Sequence, residues 1–153
     1  MVETEISSVL NDLLETAKDG AEGFRRAAEE ASDPSLKQLF TKYASQREGY
    51  ALELQELMQE NGSKPRESGH ISATLHRGWL TVRERITEPD DKTLIDACES
   101  GEDIAMKKYG EAVKKALPRD IESLVQRQYL GVKEAHAVMR NLKQFGRPAL
   151  AAV

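Results

Sequence analysis

The chain has little of what disulfide-rich, membrane-spanning or nucleic-acid-binding proteins are built from. Of its 153 residues one is cysteine and 5% are aromatic, and no apolar run resembles a signal peptide or is long enough to cross a bilayer. A lone cysteine cannot form an internal disulfide, so a reducing cytoplasm is the expected compartment. The 26 acidic and 22 basic residues are mixed along the chain, which argues against a nucleic acid or an anionic membrane as partner.

The dominant pattern in the sequence is the periodicity of an α-helix. Apolar residues recur at the spacing of one helix face in five stretches, and no stretch alternates as a strand does. The length suits a single domain, residues 1–153. Asp33-Pro34 has the composition of a helix start, and Gly62, Pro118 and Gly146 are typical of helix ends. The predicted helices span 5–31, 34–61, 70–87, 91–117 and 118–145.

The third of these stretches, 70–87, connects the second long helix to the next one. Its apolar line, which includes Trp79, predicts an amphipathic crossover helix. Four long helices with one long connection between the second and third are typical of the ferritin-like four-helix bundle, in which the connection makes those two helices parallel. The expected fold is therefore all-α and ferritin-like.

The apolar stripes of three long helices are interrupted by polar residues near mid-helix. Arg47 lies at the stripe centre of the second helix, and Glu102 interrupts the stripe of the next long helix, one turn after Glu99. On the last helix Gln128 lies within the stripe and His136 at its edge. These positions predict a polar layer across the middle of the bundle.

The first interpretation of this layer is structural. A buried arginine without a carboxylate is very costly, so we expect Arg47 to pair with Glu102 or Glu99. Gln128 and His136 would then add hydrogen bonds to the pair.

The second interpretation is a carboxylate metal site with Glu99, Glu102 and His136 as ligands. Glu22 or Glu48 would complete a two-metal set. A full ferritin-like site needs a Glu-x-x-His motif on each of two helices, whereas Lys133 stands three residues before His136, and a cation at Arg47 would repel divalent ions. No motif demands a cofactor; iron or another divalent metal at one weaker site remains the alternative.

Seven of the ten glycines fall inside predicted helices. Each costs about 1 kcal/mol relative to alanine there, so some compensation is expected. Either the glycines make room for close helix approach and large side chains, or they open a small cavity beside the polar layer.

Several runs of the sequence resemble a bacterial ferritin-like four-helix-bundle family whose function is not established. The resemblance covers roughly residues 5–143, and its most specific runs are Leu75-His76-Arg77-Gly78-Trp79 and Cys98-Glu99-Ser100-Gly101-Glu102-Asp103. It implies a bacterial cytoplasmic protein and no particular activity. The positions it marks as important are Asp19, Arg47, Glu99, Glu102, Gln128 and His136.

The leading functional hypothesis is a non-catalytic or weakly metal-binding bundle that self-associates, most simply as a dimer, in stress physiology. The first alternative is a metal-dependent oxidase or iron-handling protein that uses Glu99, Glu102 and His136. The second alternative is a protein-interaction module that presents the crossover helix, with Trp79, to a partner. We expect neither a nucleic acid nor a membrane as partner.

Overall fold

The computed structural model describes residues 2–66 and 90–146, and these ranges contain four α-helices and no strand. The helices are α1 (Glu3–Glu30), α2 (Pro34–Glu60), α3 (Asp91–Val113) and α4 (Arg119–Phe145). The predicted all-α four-helix bundle is therefore confirmed. The predicted crossover helix, 70–87, lies outside the described residues, as does Trp79.

The helix ends follow from local chemistry at most of the predicted boundaries. Asp33 caps α2 by accepting a hydrogen bond from the backbone N–H of Ser35 at 2.8 Å, with Pro34 in the first helical position. Gly62 and Gly146 adopt φ angles of 71° and 69° just beyond α2 and α4, a left-handed conformation that costs glycine little.

The third long helix ends earlier than predicted, at Val113 instead of residue 117. Pro118 biases the residue before it away from helical geometry, and the chain leaves α3 through a turn in which the Leu117 N–H donates to the Lys115 carbonyl at 2.9 Å. Leu117 then folds back into the core, where it is 7% exposed. Its apolar character therefore reflects burial in a loop and not one more helical turn.

The helices α2 and α3 begin at the same end of the bundle. The carboxylate of Asp91, at the start of α3, accepts hydrogen bonds from the backbone N–H groups of Ser32 and Asp33 at 2.8 and 3.1 Å. The parallel course that the long connection predicted is thus present. Because α1 packs extensively on α2 and α3, and α4 packs mainly on α3, α2 and α3 occupy diagonally opposite corners of the bundle.

The apolar core is divided into two clusters along the bundle axis. One contains Leu10, Leu54, Tyr109 and Val125; the other contains Phe24, Phe40, Leu94 and Met139. On α2 and α3 the division falls at buried charged residues, and the site described below lies there. No helix in the described ranges has an apolar stretch that could cross a membrane.

Candidate functional site

A buried ion pair lies at the centre of the bundle, between the two apolar clusters. The Nη1 and Nη2 groups of Arg47 donate to Oε1 and Oε2 of Glu102, both at 2.6 Å, and the two side chains are 1% and 2% exposed. This two-pronged geometry is the strongest form of an arginine–carboxylate contact. Since Arg47 comes from α2 and Glu102 from α3, the pair links diagonally opposite helices.

The surroundings of Arg47 are arranged for its guanidinium. Its Cζ atom lies 5.5 Å from the centre of the Phe24 ring, a cation–π distance, and its Nε donates to the Gln46 side-chain oxygen at 3.3 Å. A Cβ atom added to Gly20 of α1 would lie 3.3 Å from Nη1, so a larger residue there would press on the guanidinium. Burial is the largest single influence and lowers the pKa of Arg47, but the charge of Glu102 and the hydrogen bonds to it, with smaller contributions from Tyr109 and Tyr50, together offset it, and the pKa is raised.

Glu99 does not share the central arginine. Its Oε2 accepts from Nζ of Lys143 on α4 at 2.7 Å, so of the two carboxylates considered for Arg47 the structure pairs Glu102. Both oxygens of Glu102 are engaged by Arg47. The predicted ligand trio Glu99, Glu102 and His136 is therefore not brought together.

Gln128 is fully buried but belongs to a different contact from the one predicted. Its side-chain oxygen accepts from the Tyr109 hydroxyl at 2.7 Å, and its amide nitrogen donates to the Tyr50 carbonyl at 3.2 Å. The prediction that Gln128 bonds to the Arg47 pair is wrong. It instead joins α4 to both α3 and α2, and burial raises the pKa of Tyr109 within this contact.

His136 likewise lies apart from the central pair, on the α3–α4 surface. Its Nε2 is 2.6 Å from Oδ1 of Asp103, and the His136 side chain is 17% exposed. Asp103 was missed by the stripe analysis because its side chain points outward, being 61% exposed. The spacing contained the signal, since Asp103 is four residues after Glu99 and residues so spaced are neighbours on one helix face.

Glu99, Asp103 and His136 form a compact group of potential metal ligands. Each offers one donor atom, and these atoms lie within 4.8 Å of one another. The group lines an open depression of about 550 Å³ together with Arg140, Lys143 and Gln144.

The α1 carboxylates contribute to neither group. Asp19, one of the positions that the family resemblance marks, is only 6% exposed, and its Oδ2 has no hydrogen-bond partner among the described residues. Burial, reinforced by the charges of Glu22 and Glu15, raises the pKa of Asp19 to about 7.

The two carboxylates considered for completing a two-metal set are engaged at the surface. Glu22 is 62% exposed and lies 3.6 Å from Arg26, one helical turn further along α1. Glu48 of α2 pairs with Arg25 of α1, and its side chain is 43% exposed. Neither residue therefore stands in a position to join Glu102 at the bundle centre.

The fold and the central pair define an all-α four-helix bundle whose middle is filled by an arginine–glutamate ion pair. The chain belongs to the family described as Domain of unknown function (DUF2383), whose model matches residues 5–115. No curated protein matches the chain. The matched region contains Arg47 and Glu102 and excludes α4, and the family description names no activity.

Proposed function

We propose that the protein is a non-catalytic, self-associating bundle of the ferritin-like type, in which an ion pair takes the central position. In ferritin-like metalloenzymes inward carboxylates and histidines from all four helices hold two metal ions in the bundle core. The main support is that Arg47 contacts both oxygens of Glu102 at 2.6 Å.

The residues around this pair are unsuited to a cluster of divalent cations. Arg47 brings a positive charge to the centre, and α1 contributes Gly20, which has no donor atom, beside the guanidinium. A metal that used Glu102 would have to displace Arg47 and leave a buried guanidinium without its counter-charge, at a cost of several kcal/mol. The centre therefore favours a structural role over metal chemistry.

The alternative of an oxidase that uses Glu99, Glu102 and His136 finds no support in this geometry. Glu102 faces Arg47, whereas Glu99 and His136 face the α3–α4 surface. The interaction-module alternative depends on the crossover segment and Trp79, which lie outside the described residues.

Self-association is supported by large apolar side chains exposed on the long helices. Leu52 of α2 and Leu130 of α4 are 61% and 65% exposed. Sedimentation distinguishes such a dimer from a monomer, on which single exposed leucines are also common.

Aerobic addition of Fe(II) to the purified full-length chain tests the proposal. We expect iron to oxidise at the rate seen in buffer alone, because among the described residues the central carboxylate, Glu102, is held by Arg47 through both of its oxygens. Glu102→Gln should leave that rate unchanged, and sedimentation velocity in the same buffer should show a dimer. Saturable acceleration of iron oxidation that is lost in Glu102→Gln would establish the oxidase instead, and a monomer at every concentration would contradict self-association.

A further inference from the structure

The α3–α4 surface group combines donor types that metals use and is separate from the central pair. Glu99 and Asp103 project from one face of α3, and His136 meets them from α4. Two of the three donors are sheltered, since the side chains of Glu99 and His136 are 15% and 17% exposed, while Asp103 is 61% exposed. The site therefore has two donor side chains held by their surroundings, Glu99 and His136, and one exposed donor, Asp103, that can change its rotamer.

The distances are compatible with one small cation. A tetrahedral ion with bonds of about 2.0 to 2.2 Å holds its donor atoms roughly 3.3 to 3.6 Å apart. The donor atoms here lie within 4.8 Å, and the Asp103 to His136 distance is already 2.6 Å. Rotation of the exposed Asp103 side chain and a small approach of Glu99 would meet the requirement without movement of either helix.

We propose that Glu99, Asp103 and His136 form a single-ion site for a first-row divalent cation of intermediate softness, of which Zn²⁺ is the type. One imidazole nitrogen with two carboxylates suits Zn²⁺ or Co²⁺ better than Mg²⁺ or Ca²⁺, which prefer oxygen alone. Three protein ligands leave a fourth position to water.

Lys143 competes with such an ion for the carboxylate of Glu99. Its ammonium lies 2.7 Å from Oε2 of Glu99, so the ion has to displace it from the carboxylate. Arg140 lines the same depression and adds positive charge that opposes binding. The site is therefore expected to bind weakly, with an affinity that Lys143 lowers.

Titration of the metal-free full-length chain with Co²⁺, followed by its visible absorption, tests the site. We expect one Co²⁺ per chain, displaced by Zn²⁺ and not by an excess of Mg²⁺. His136→Asn and Glu99→Gln each remove a proposed ligand and should each weaken Co²⁺ binding by about a hundredfold. Loss of a hydrogen-bond partner behind a ligand can already cost up to about this factor. Lys143→Met should strengthen it by about tenfold, the effect expected when one nearby positive charge is removed.

Glu111→Gln is the matched control, because it is the same substitution as Glu99→Gln, on the same helix, at an exposed position 12 residues away. It should leave Co²⁺ affinity unchanged, and far-ultraviolet circular dichroism should show that every variant keeps its helices. Two results would overturn the proposal: no binding by the unmodified chain at millimolar Co²⁺, or full binding retained by His136→Asn, which still carries His70 and His76. Because none of these variants touches Arg47 or Glu102, either result leaves the proposed central ion pair untouched.

Discussion

Asp19 is a buried carboxyl group whose pKa is raised to about 7, first by burial and then by the charges of Glu22 and Glu15. In the unfolded chain an aspartate titrates near 3.9. Between these two values the folded protein holds a proton that the unfolded chain has released. The free energy of unfolding therefore falls as the pH rises from about 4 to about 7, and it is insensitive to this group outside that window.

Asp19→Asn is expected to remove this part of the pH dependence, because asparagine carries no titrating proton. Thermal unfolding at pH 5 and pH 8 checks it: the gain in stability of the variant over the unmodified chain should be clearly larger at pH 8 than at pH 5, because pH 5 lies near the lower end of the window. Asp12→Asn is the control, since Asp12 lies on the same helix but pairs with Arg66 at 2.9 Å. An equal pH dependence in Asp19→Asn and the unmodified chain would show that Asp19 is ionised in the fold.

The residues of the polar layer were predictable to different degrees. Arg47 and Glu102 lie at stripe centres. There, a small error in the assumed rotation of the helix about its axis does not change whether a side chain points to the core. His136 lies at a stripe edge, where the same error moves a side chain from the core to the surface. The burial of Asp19 could not be found from the apolar stripes. The helix α1 packs against both α2 and α3, and its second buried face carries Thr16, Asp19 and Gly23, which give no hydrophobic signal.

At the scale of elements, three of the helical glycines lie against side chains from other helices. Gly20 faces Arg47, Gly110 faces the hydroxyl of Tyr129, and Gly131 faces the hydroxyl of Tyr50. These contacts favour close packing over an open cavity at those three positions. Sequence alone could not decide this, because a glycine pattern does not reveal which neighbour fills the space.

Gly131→Ala tests the packing account at the contact between α2 and α4. A methyl group there would overlap the Tyr50 hydroxyl, so we expect a loss of about 1 to 3 kcal/mol in the free energy of unfolding, as for other overpacked sites. Urea denaturation measures it. In a Tyr50→Phe background the loss should shrink, because the overlapping oxygen is gone.

Gly49→Ala is the matched control on α2, since a methyl group there meets no atom of the described residues within 4 Å. It should stabilise the protein by about 1 kcal/mol, the difference in helix propensity between the two residues. If Gly131→Ala stabilised the protein equally, the space beside Gly131 would be open and the cavity account would stand.

At the scale of the whole molecule, the sequence was sufficient for the four helices and for their directions, because both depend on long periodic stretches and on one long connection. It could not show which polar residues meet, since that depends on how each helix is rotated against three neighbours. The central pair is a partial exception: a buried arginine needs a carboxylate, which restricted the predicted partner to Glu102 or Glu99, and the structure shows that it is Glu102. The cost of burying an unpaired arginine restricted the choice of partner, which the periodicity of the helices alone does not do.

The Arg47–Glu102 pair joins the α1–α2 hairpin to the α3–α4 hairpin across the bundle, so its removal tests how the two halves are held together. Arg47→Met and Glu102→Leu should each cost about 3 to 5 kcal/mol, because each leaves the other charge buried and unpaired. The double variant replaces both charges by apolar side chains and should cost clearly less than the sum of the single variants. Urea denaturation of all four proteins measures the coupling between the two residues, and additive losses would mean that the pair contributes nothing as a pair.

The dispersion of amide signals in the nuclear magnetic resonance spectrum of the double variant adds a second criterion. Narrowed dispersion despite retained stability would show that the pair fixes the relative position of the two hairpins more than it stabilises them.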